Sequence, residues 1–183
     1  GLLALLRAKP GALDFGSAGY GSSTHMALEL FTYLGKLKVT HVPYKGTGQA
    51  LTDGVAGQVH GLFANILSGF QYVKAGRLRA LAVSGARRSA VLPDLPTIAE
   101  SGVVGFDSMG WTLAAFPAAT PKEIVDRLNI EINRILSQPD VKARLLEAGA
   151  DVRSGSVEQF AQFAKSESEK YLQIIKESGV RIE

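Results

Sequence analysis

A glycine-rich stretch near the start of the chain contains the residues whose types and spacing best suit ligand chemistry. It runs from Asp14 to His25 and includes Gly16, Gly19 and Gly21, followed by three consecutive hydroxyl-bearing residues. Glycines permit positive φ and a close approach of the backbone to a ligand. A helix that begins at the hydroxyl residues presents N–H groups and a partial positive charge to anions. The pattern predicts a carboxylate or phosphate site, and an ordinary strand-to-helix turn with a good N-cap is the alternative interpretation.

A second glycine-bearing turn, Pro43 to Gly48, follows the next predicted strand. Because ligands of α/β sheets bind at the carboxyl ends of the strands, we expect both turns to line one crevice. Lys45 suits either an anion at that crevice or a solvated turn, and Tyr44 is expected to be half-packed at its wall. Asn65 ends the third predicted strand at the same edge, which makes it a further candidate ligand contact.

The histidines and the missing cysteines argue against several other kinds of chemistry. His25 is expected to brace the first turn through a ring nitrogen, with ligand contact as the alternative, while His41 is expected to pack in a strand and His60 to lie at the surface. The chain has no cysteines, and its three histidines are scattered, so we expect no metal site. No nucleophile elbow, dinucleotide fingerprint or phosphate loop occurs, and we therefore expect neither a catalytic residue nor a cofactor.

The composition is that of a globular protein. Of 183 residues, 46% are hydrophobic and 20% are charged, and the formal net charge is +3. This mild positive charge comes without an aromatic–basic motif, so nucleic acid is not an expected partner. No segment is long and apolar enough for membrane insertion.

Strand and helix patterns alternate three times between residues 10 and 85. After the tail of a helix at 2–9, we predict strands at 13–17, 38–42, 58–65 and 79–84, and helices at 22–35, 49–55 and 67–75. This alternation favours an α/β fold with a parallel or mixed sheet flanked by helices.

From about residue 105 the chain is mostly helical. We predict a short helical piece at 98–100, a strand at 109–116, helices with capping boxes at 120–123 and 156–159, and a terminal strand at 180–182. A helical part with one or two strands cannot readily bury a sheet of its own. We therefore expect the rest of a second domain elsewhere, upstream of Gly1.

Five longer motifs carry a resemblance to a known family. They are residues 16–25 (GSAGYGSSTH), 41–46 (HVPYKG), 73–83 (VKAGRLRALAV), 92–102 (LPDLPTIAESG) and 110–111 (GW). In this order they resemble the Bug-type periplasmic solute-binding receptors of the tripartite tricarboxylate transporter family, and the resemblance covers nearly the whole chain.

The resemblance implies a type II periplasmic-binding-protein fold, in which two α/β lobes clamp a ligand. Residues 1–105 would form one lobe, and residues 106–183 would form the crossover strand and helical C-terminal part of the other, whose N-terminal segment is missing. By the same resemblance, loop amides and hydroxyls hold a ligand carboxylate. The implied contacts are Ser17, Ala18, Gly19, Gly21 and Ser22 in the first turn, and Tyr44, Lys45 and Gly46 in the second. We expect a bulky replacement at Gly19 or Gly21 to abolish binding while folding stays largely intact.

The resemblance also implies a function. It suggests a periplasmic, extracytoplasmic receptor that captures a small di- or tricarboxylate and presents it to membrane transporter subunits. The family often has an acid where this chain has Ala64, so a plain carboxylate is favoured over an amino acid. A ligand-sensing module of a signalling or regulatory system with the same fold is the alternative, and an α/β enzyme is a third hypothesis.

Overall fold

The computed structural model describes residues 1–150 and 152–178, which form a small sheet surrounded by helices. In chain order the elements are α1 (Leu2–Ala8), β1 (Asp14–Ser17), α2 (Ser23–Gly35), β2 (Thr40–Pro43), α3 (Thr47–Val55), β3 (Gly61–Leu62), α4 (Ile66–Lys74), α5 (Lys122–Leu136), α6 (Pro139–Glu147) and α7 (Val157–Ser178). The predicted alternation of strand and helix up to α4 is confirmed, with shifts at the boundaries. Within these ranges, no helix combines the length and the apolar character that a membrane crossing requires.

The sheet has the order β2-β1-β3, and both pairings are parallel. Phe15 in the central strand is opposite His41 in β2 and Gly61 in β3. Helices α2 and α3 lie in the connections between the strands, as parallel pairing requires. The carboxyl ends of the three strands therefore meet at one edge of the sheet, and the segments that follow them gather there.

One hydrophobic core joins the sheet, α1, α2 and the last turns of α7. Phe15 of β1, Leu28 of α2 and Phe106 are buried in this cluster. Ile174 of α7 belongs to the same cluster, and Tyr171 packs against it. The C-terminal part of the long helix α7 thus packs against the α/β part of the chain.

Two predicted strands are shortened or absent. The strand predicted at 58–65 is limited to Gly61–Leu62, and the strand predicted at 79–84 is reduced to a single parallel bridge between Val83 and Thr97. Leu81, in the apolar run that suggested a buried strand, is exposed. Among the described residues, no strand lies next to this apolar run. Residues with high β propensity do not form a β-ladder when they have no strand to pair with.

The segment that follows the core lacks its predicted elements. Residues 98–100 form a turn rather than a helix, and residues 109–116 contain no strand. Trp111 instead packs edge-on against Phe160 and Phe163 of α7, with ring centroids 5.9 and 5.7 Å away. Side-chain contacts with α7, rather than the hydrogen bonds of a β-ladder, therefore position this segment. The strand predicted at 180–182 lies outside the described residues.

The two predicted capping boxes have different outcomes. At α7, Gln159 N donates to Ser156 Oγ (3.2 Å) and Ser156 N donates to Gln159 Oε1 (2.9 Å), which confirms the reciprocal cap. At α5 the prediction is wrong, because Pro121 is itself the N-cap residue and the helix begins at Lys122. No residue of α5 or α6, both of which are fully described, is buried.

Candidate functional site

The turn between β1 and α2 is held in shape by its own backbone amides. Four of them donate within the chain: Ala18 to Thr24 Oγ1 (2.9 Å), Gly19 to Ser17 Oγ (3.1 Å), Gly21 to His25 Nδ1 (3.1 Å) and Ser22 to the Gly19 carbonyl (3.2 Å). The Ser22 hydroxyl also donates to that carbonyl (2.6 Å), and it caps α2 by accepting from His25 N. The expectation that these four amides are open donors is wrong, because each already has an acceptor. Ligand contact by the residues of this turn stays a prediction.

The turn after β2 lies directly against the turn after β1. Tyr44 N donates to the Ser17 carbonyl (3.1 Å), and a Cβ at Gly19 would come within 2.6 Å of the Tyr44 carbonyl oxygen. Gly19 also has a φ of +118°, which residues with a side chain rarely adopt. A bulky replacement at Gly19 would therefore disturb the fold, contrary to expectation. Lys45 is exposed beside this contact, and Gly46 takes a φ of +128°.

Two histidines stack behind the first turn. The rings of His25 and His41 are 4.2 Å apart and nearly parallel, and Tyr20 meets both edge-on. Because Gly21 N–H donates to His25 Nδ1, a neutral His25 carries its proton on Nε2. That nitrogen faces Glu29 Oε1 at 3.3 Å. The predicted role of His25 as a brace for the turn is confirmed.

His41 connects β2 to the start of the turn. Its Nε2 lies 2.7 Å from the hydroxyl of Ser17, a fully buried residue. Burial, followed by repulsion from His25, lowers the pKa of His41 from 6.5 to about 4, and Glu29 acts in the opposite direction. His41 is therefore neutral at pH 7 and packs within its strand as predicted. His60 is half exposed, also as predicted.

A small, partly open pocket with a cavity volume of about 30 Å³ lies where the N-terminus of α2 meets the end of β3. Its lining residues have no ionisable side chain: Ser23, Thr24, Ala27, Phe63, Ala64, Asn65, Ser84, Ser108 and Gly110. Ser23 and Thr24 are the first two residues of α2, just before the amide of His25, which Ser22 caps. Within the described residues neither of these two amides has an acceptor. Both are therefore available to an anion at the positive end of the helix.

Among the predicted ligand contacts, Asn65 lines this pocket, and the others belong to the two touching turns at the same edge of the sheet. The sequence predicted free N–H groups at the start of this helix as anion donors, but it did not single out the amides of Ser23 and Thr24, which directly follow the N-cap. Ser84 and Ser108 had no comparable signal. Tertiary pairing brings them to the pocket, since Ser108 N donates to the Ser84 carbonyl (2.8 Å).

The pocket has the chemistry of a neutral anion site. Hydroxyl and amide donors can orient a carboxylate through charge-assisted hydrogen bonds without a permanent positive charge. In residues 1–150 and 152–178, no three His, Asp or Glu side chains converge as a group that could hold a metal ion. The fold and the pocket are those of an α/β ligand-binding unit with a candidate anion site at the carboxyl edge of its sheet.

The chain belongs to the tripartite tricarboxylate transporter family receptors (TctC), whose family model matches residues 1–180. This is a family of transport receptors rather than of enzymes. The chain is 40% identical over 177 residues to the UPF0065 protein in the tcbD-tcbE intergenic region of a Pseudomonas species. The match covers 96% of this chain and 53% of that protein, so the chain spans about half the length of this curated relative.

Solved structures share the fold. The R. palustris protein Rpa4515, solved with adipate, has a TM-score of 0.92 and 34% identity, over 97% of this chain and 60% of that one. The periplasmic binding protein BugD has a TM-score of 0.82 and 27% identity, over 98% and 61%. MatC from Rhodopseudomonas palustris, with bound malate, has a TM-score of 0.81 and 31% identity, over 95% and 60%. The α/β fold thus matches about three fifths of these proteins.

Proposed function

We propose that this chain is part of a periplasmic receptor that binds a small di- or tricarboxylate and presents it to membrane transporter subunits. Family membership supports the transport role and the partner. The pocket of neutral donors at the start of α2 is the observation that carries the ligand class. Similar proteins solved with adipate and malate favour a dicarboxylate, and BugD, a periplasmic binding protein, supports the location.

In this proposal the amides of Ser23 and Thr24 receive one ligand carboxylate. The side chain of Asn65, exposed at the mouth of the pocket, adds a donor. The two touching turns, residues 17–22 and 44–46, frame the same edge of the sheet and are candidates for contact with the far end of the ligand. Lys45 would supply a positive charge there. Because no acidic side chain lines the pocket, an ammonium group has no counterion in it.

The proposed receptor has two lobes, with residues 1–105 in one and residues 106–183 in the other. The match to about 60% of the solved chains supports a longer protein. The exposure of α5 supports it too, since several of its large apolar side chains face solvent: Ile124, Leu128, Ile132 and Ile135. A further segment of the complete protein would cover this face, and α7 would contact both lobes.

Calorimetry on the complete reading frame that contains this chain tests the receptor proposal. We expect binding of at least one of adipate, malate and citrate, and no binding of glutamate, whose ammonium group the pocket does not match. Wild-type protein that is folded and binds none of the three acids would contradict the receptor function. Binding of glutamate alone would contradict the ligand class.

A proline at Ser23 tests the amide donor at the first position of α2. Proline is favoured there, and the preceding residue Ser22 already has the extended conformation (φ −68°, ψ 158°) that proline requires. Ser23→Pro therefore removes one N–H group while the helix is kept. We expect the loss of a charge-assisted hydrogen bond to weaken carboxylate binding by roughly 10- to 100-fold.

The matched control for that variant is Ser23→Ala, which removes the hydroxyl and keeps the amide. We expect Ser23→Ala to bind at least several times more tightly than Ser23→Pro. Equal affinities of the two variants, with unchanged circular dichroism, would show that the amide does not receive the ligand.

A further inference from the structure

The wall of the pocket opposite α2 is tied to the long helix α7. Ser108 lines the pocket, is buried, and has its Oγ 2.9 Å from the hydroxyl oxygen of Tyr171. The preceding residue is held by the same turn of α7, because Lys170 Nζ donates to the Asp107 carbonyl (3.4 Å). Ser108 of the wall and the residue before it are therefore held by two adjacent residues of one helix.

The hydroxyl of Ser108 has one proton and two lone pairs. Either the serine or the tyrosine can donate in the bond between them. A ligand carboxylate accepts hydrogen bonds and cannot donate, so a serine that contacts it must point its proton at the ligand. The serine oxygen then has to accept from Tyr171.

We propose that Tyr171 is a positioning residue for ligand binding: its hydroxyl donates to Ser108 Oγ, and Ser108 donates to the ligand carboxylate. This inference rests on the proposed function of the pocket. Hydrogen bonds in such a chain polarise one another, so the tyrosine strengthens the donor that the ligand meets. When Tyr171 is the donor in this bond, the proton of Ser108 can point into the pocket.

The ring of Tyr171 contributes to the core, so its effect on binding must be separated from its effect on stability. The chain offers a matched control in Tyr33 on α2. The Tyr33 hydroxyl donates to Glu177 Oε2 (2.6 Å) and so also ties α7 to the α/β part of the chain. Tyr33 does not line the pocket. Each Tyr-to-Phe change removes one hydrogen bond between α7 and the rest of the chain. Only the bond of Tyr171 is made to a residue that lines the pocket.

The experiment measures affinity by calorimetry and ligand-free melting temperature on the complete reading frame. The probe is adipate or malate, whichever the wild type binds. We expect Tyr171→Phe to weaken binding roughly tenfold and Tyr33→Phe to leave the affinity within about twofold of the wild type. Equal affinities for the two variants would overturn the inference while the receptor function stands.

A double-mutant cycle with Ser108→Ala gives a measurement that a purely structural role would not change. We expect Ser108→Ala alone to weaken binding, and Tyr171→Phe to add less than about twofold in that background, because the tyrosine acts through the serine hydroxyl. If the fold-loss of affinity in the double mutant equals the product of the fold-losses in the two single mutants, the inference is overturned. Wild-type protein that binds none of the acids would overturn the receptor function and this inference together.

Discussion

At the scale of single residues, the imidazole ring of His41 is partly buried among other side chains. The ring stacks on His25 and contacts Tyr20 edge-on. It forms a hydrogen bond with Ser17 Oγ, and Glu29 is the nearby acidic residue. Burial of the ring and repulsion from His25 lower its pKa to about 4, while Glu29 acts in the opposite direction. The group that shapes the start of the glycine turn is therefore also sensitive to acid.

We expect the free energy of unfolding to fall as the pH is lowered from about 6.5 to about 4. In this window the unfolded chain, with a His pKa of 6.5, binds a proton that the folded His41 does not accept, so stability is greatest above pH 6.5. The full shift corresponds to roughly 3 kcal/mol, which solvent screening of a partly exposed ring reduces to about 1–2 kcal/mol. Urea unfolding at several pH values measures the slope.

His41→Gln should reduce that slope, because it removes the titrating ring. His60→Gln is the control, since His60 is half exposed and lies away from the stack. A slope unchanged by His41→Gln, or reduced as much by His60→Gln, would contradict the assignment of the acid sensitivity to His41.

At the scale of elements, two asparagine side chains of α5 join it to the segment before α7. Asn133 Oδ1 accepts from Gly155 N (3.0 Å), and Asn133 Nδ2 donates to the Gly155 carbonyl (2.9 Å). Asn129, one turn earlier, donates to the same carbonyl (3.2 Å). Asn133 thus makes the pair of hydrogen bonds with Gly155 that a neighbouring strand residue would make, and it joins α5 to the residue just before the Ser156 cap of α7.

Asn133→Ala is expected to destabilise this junction by about 1–2 kcal/mol, because the Gly155 amide loses its acceptor. Hydrogen exchange of that amide should become faster. Asn129→Ala is the control, since it leaves the bond from Gly155 N to Asn133 Oδ1 intact. Equal acceleration at Gly155 in the two variants would contradict the proposed role of Asn133.

At the scale of the whole molecule, α5 presents an apolar face to solvent. Ile124, Leu128, Ile132 and Ile135 follow helical spacing along this face, whereas Ile130 points to the opposite side of the helix and is 65% exposed. Exposed apolar patches of this kind mark surfaces that another segment or protein covers. This is the physical basis for proposing that the complete receptor contributes a further segment to the second lobe.

We expect Leu128→Lys to destabilise the complete protein by more than about 2 kcal/mol, because it places a charge in a covered apolar contact. Ile130→Lys, on the opposite side of α5, should change stability by less than about 0.5 kcal/mol. Chemical unfolding of both variants provides the measurement. Similar stabilities would show that the complete protein leaves this face of α5 uncovered.

Features that depend on a few neighbouring residues could be predicted from the sequence alone. An N-cap among the hydroxyl residues 22–24, the capping box of α7 and the glycine turn after β1 follow from local hydrogen bonds and φ preferences, and the structure has all three, with Ser22 as the N-cap. The family also follows from the sequence, because its motifs occur in order along the chain.

Only the tertiary structure shows which backbone N–H groups lack an acceptor within the chain and are available to a ligand. Most amides of the glycine turn are engaged by acceptors within the turn, whereas the amides of Ser23 and Thr24 are left at the pocket. Ser108 contacts a hydroxyl 63 residues away in the chain, and in the described part of the chain the apolar run at 79–84 has only an isolated bridge, from Val83 to Thr97, rather than a strand beside it. The acceptors of the glycine-turn amides lie within six residues of their donors, but several geometries of that turn fit the same local sequence. The partner of Ser108 is distant in sequence, so no local pattern encodes it, and packing in three dimensions determines it.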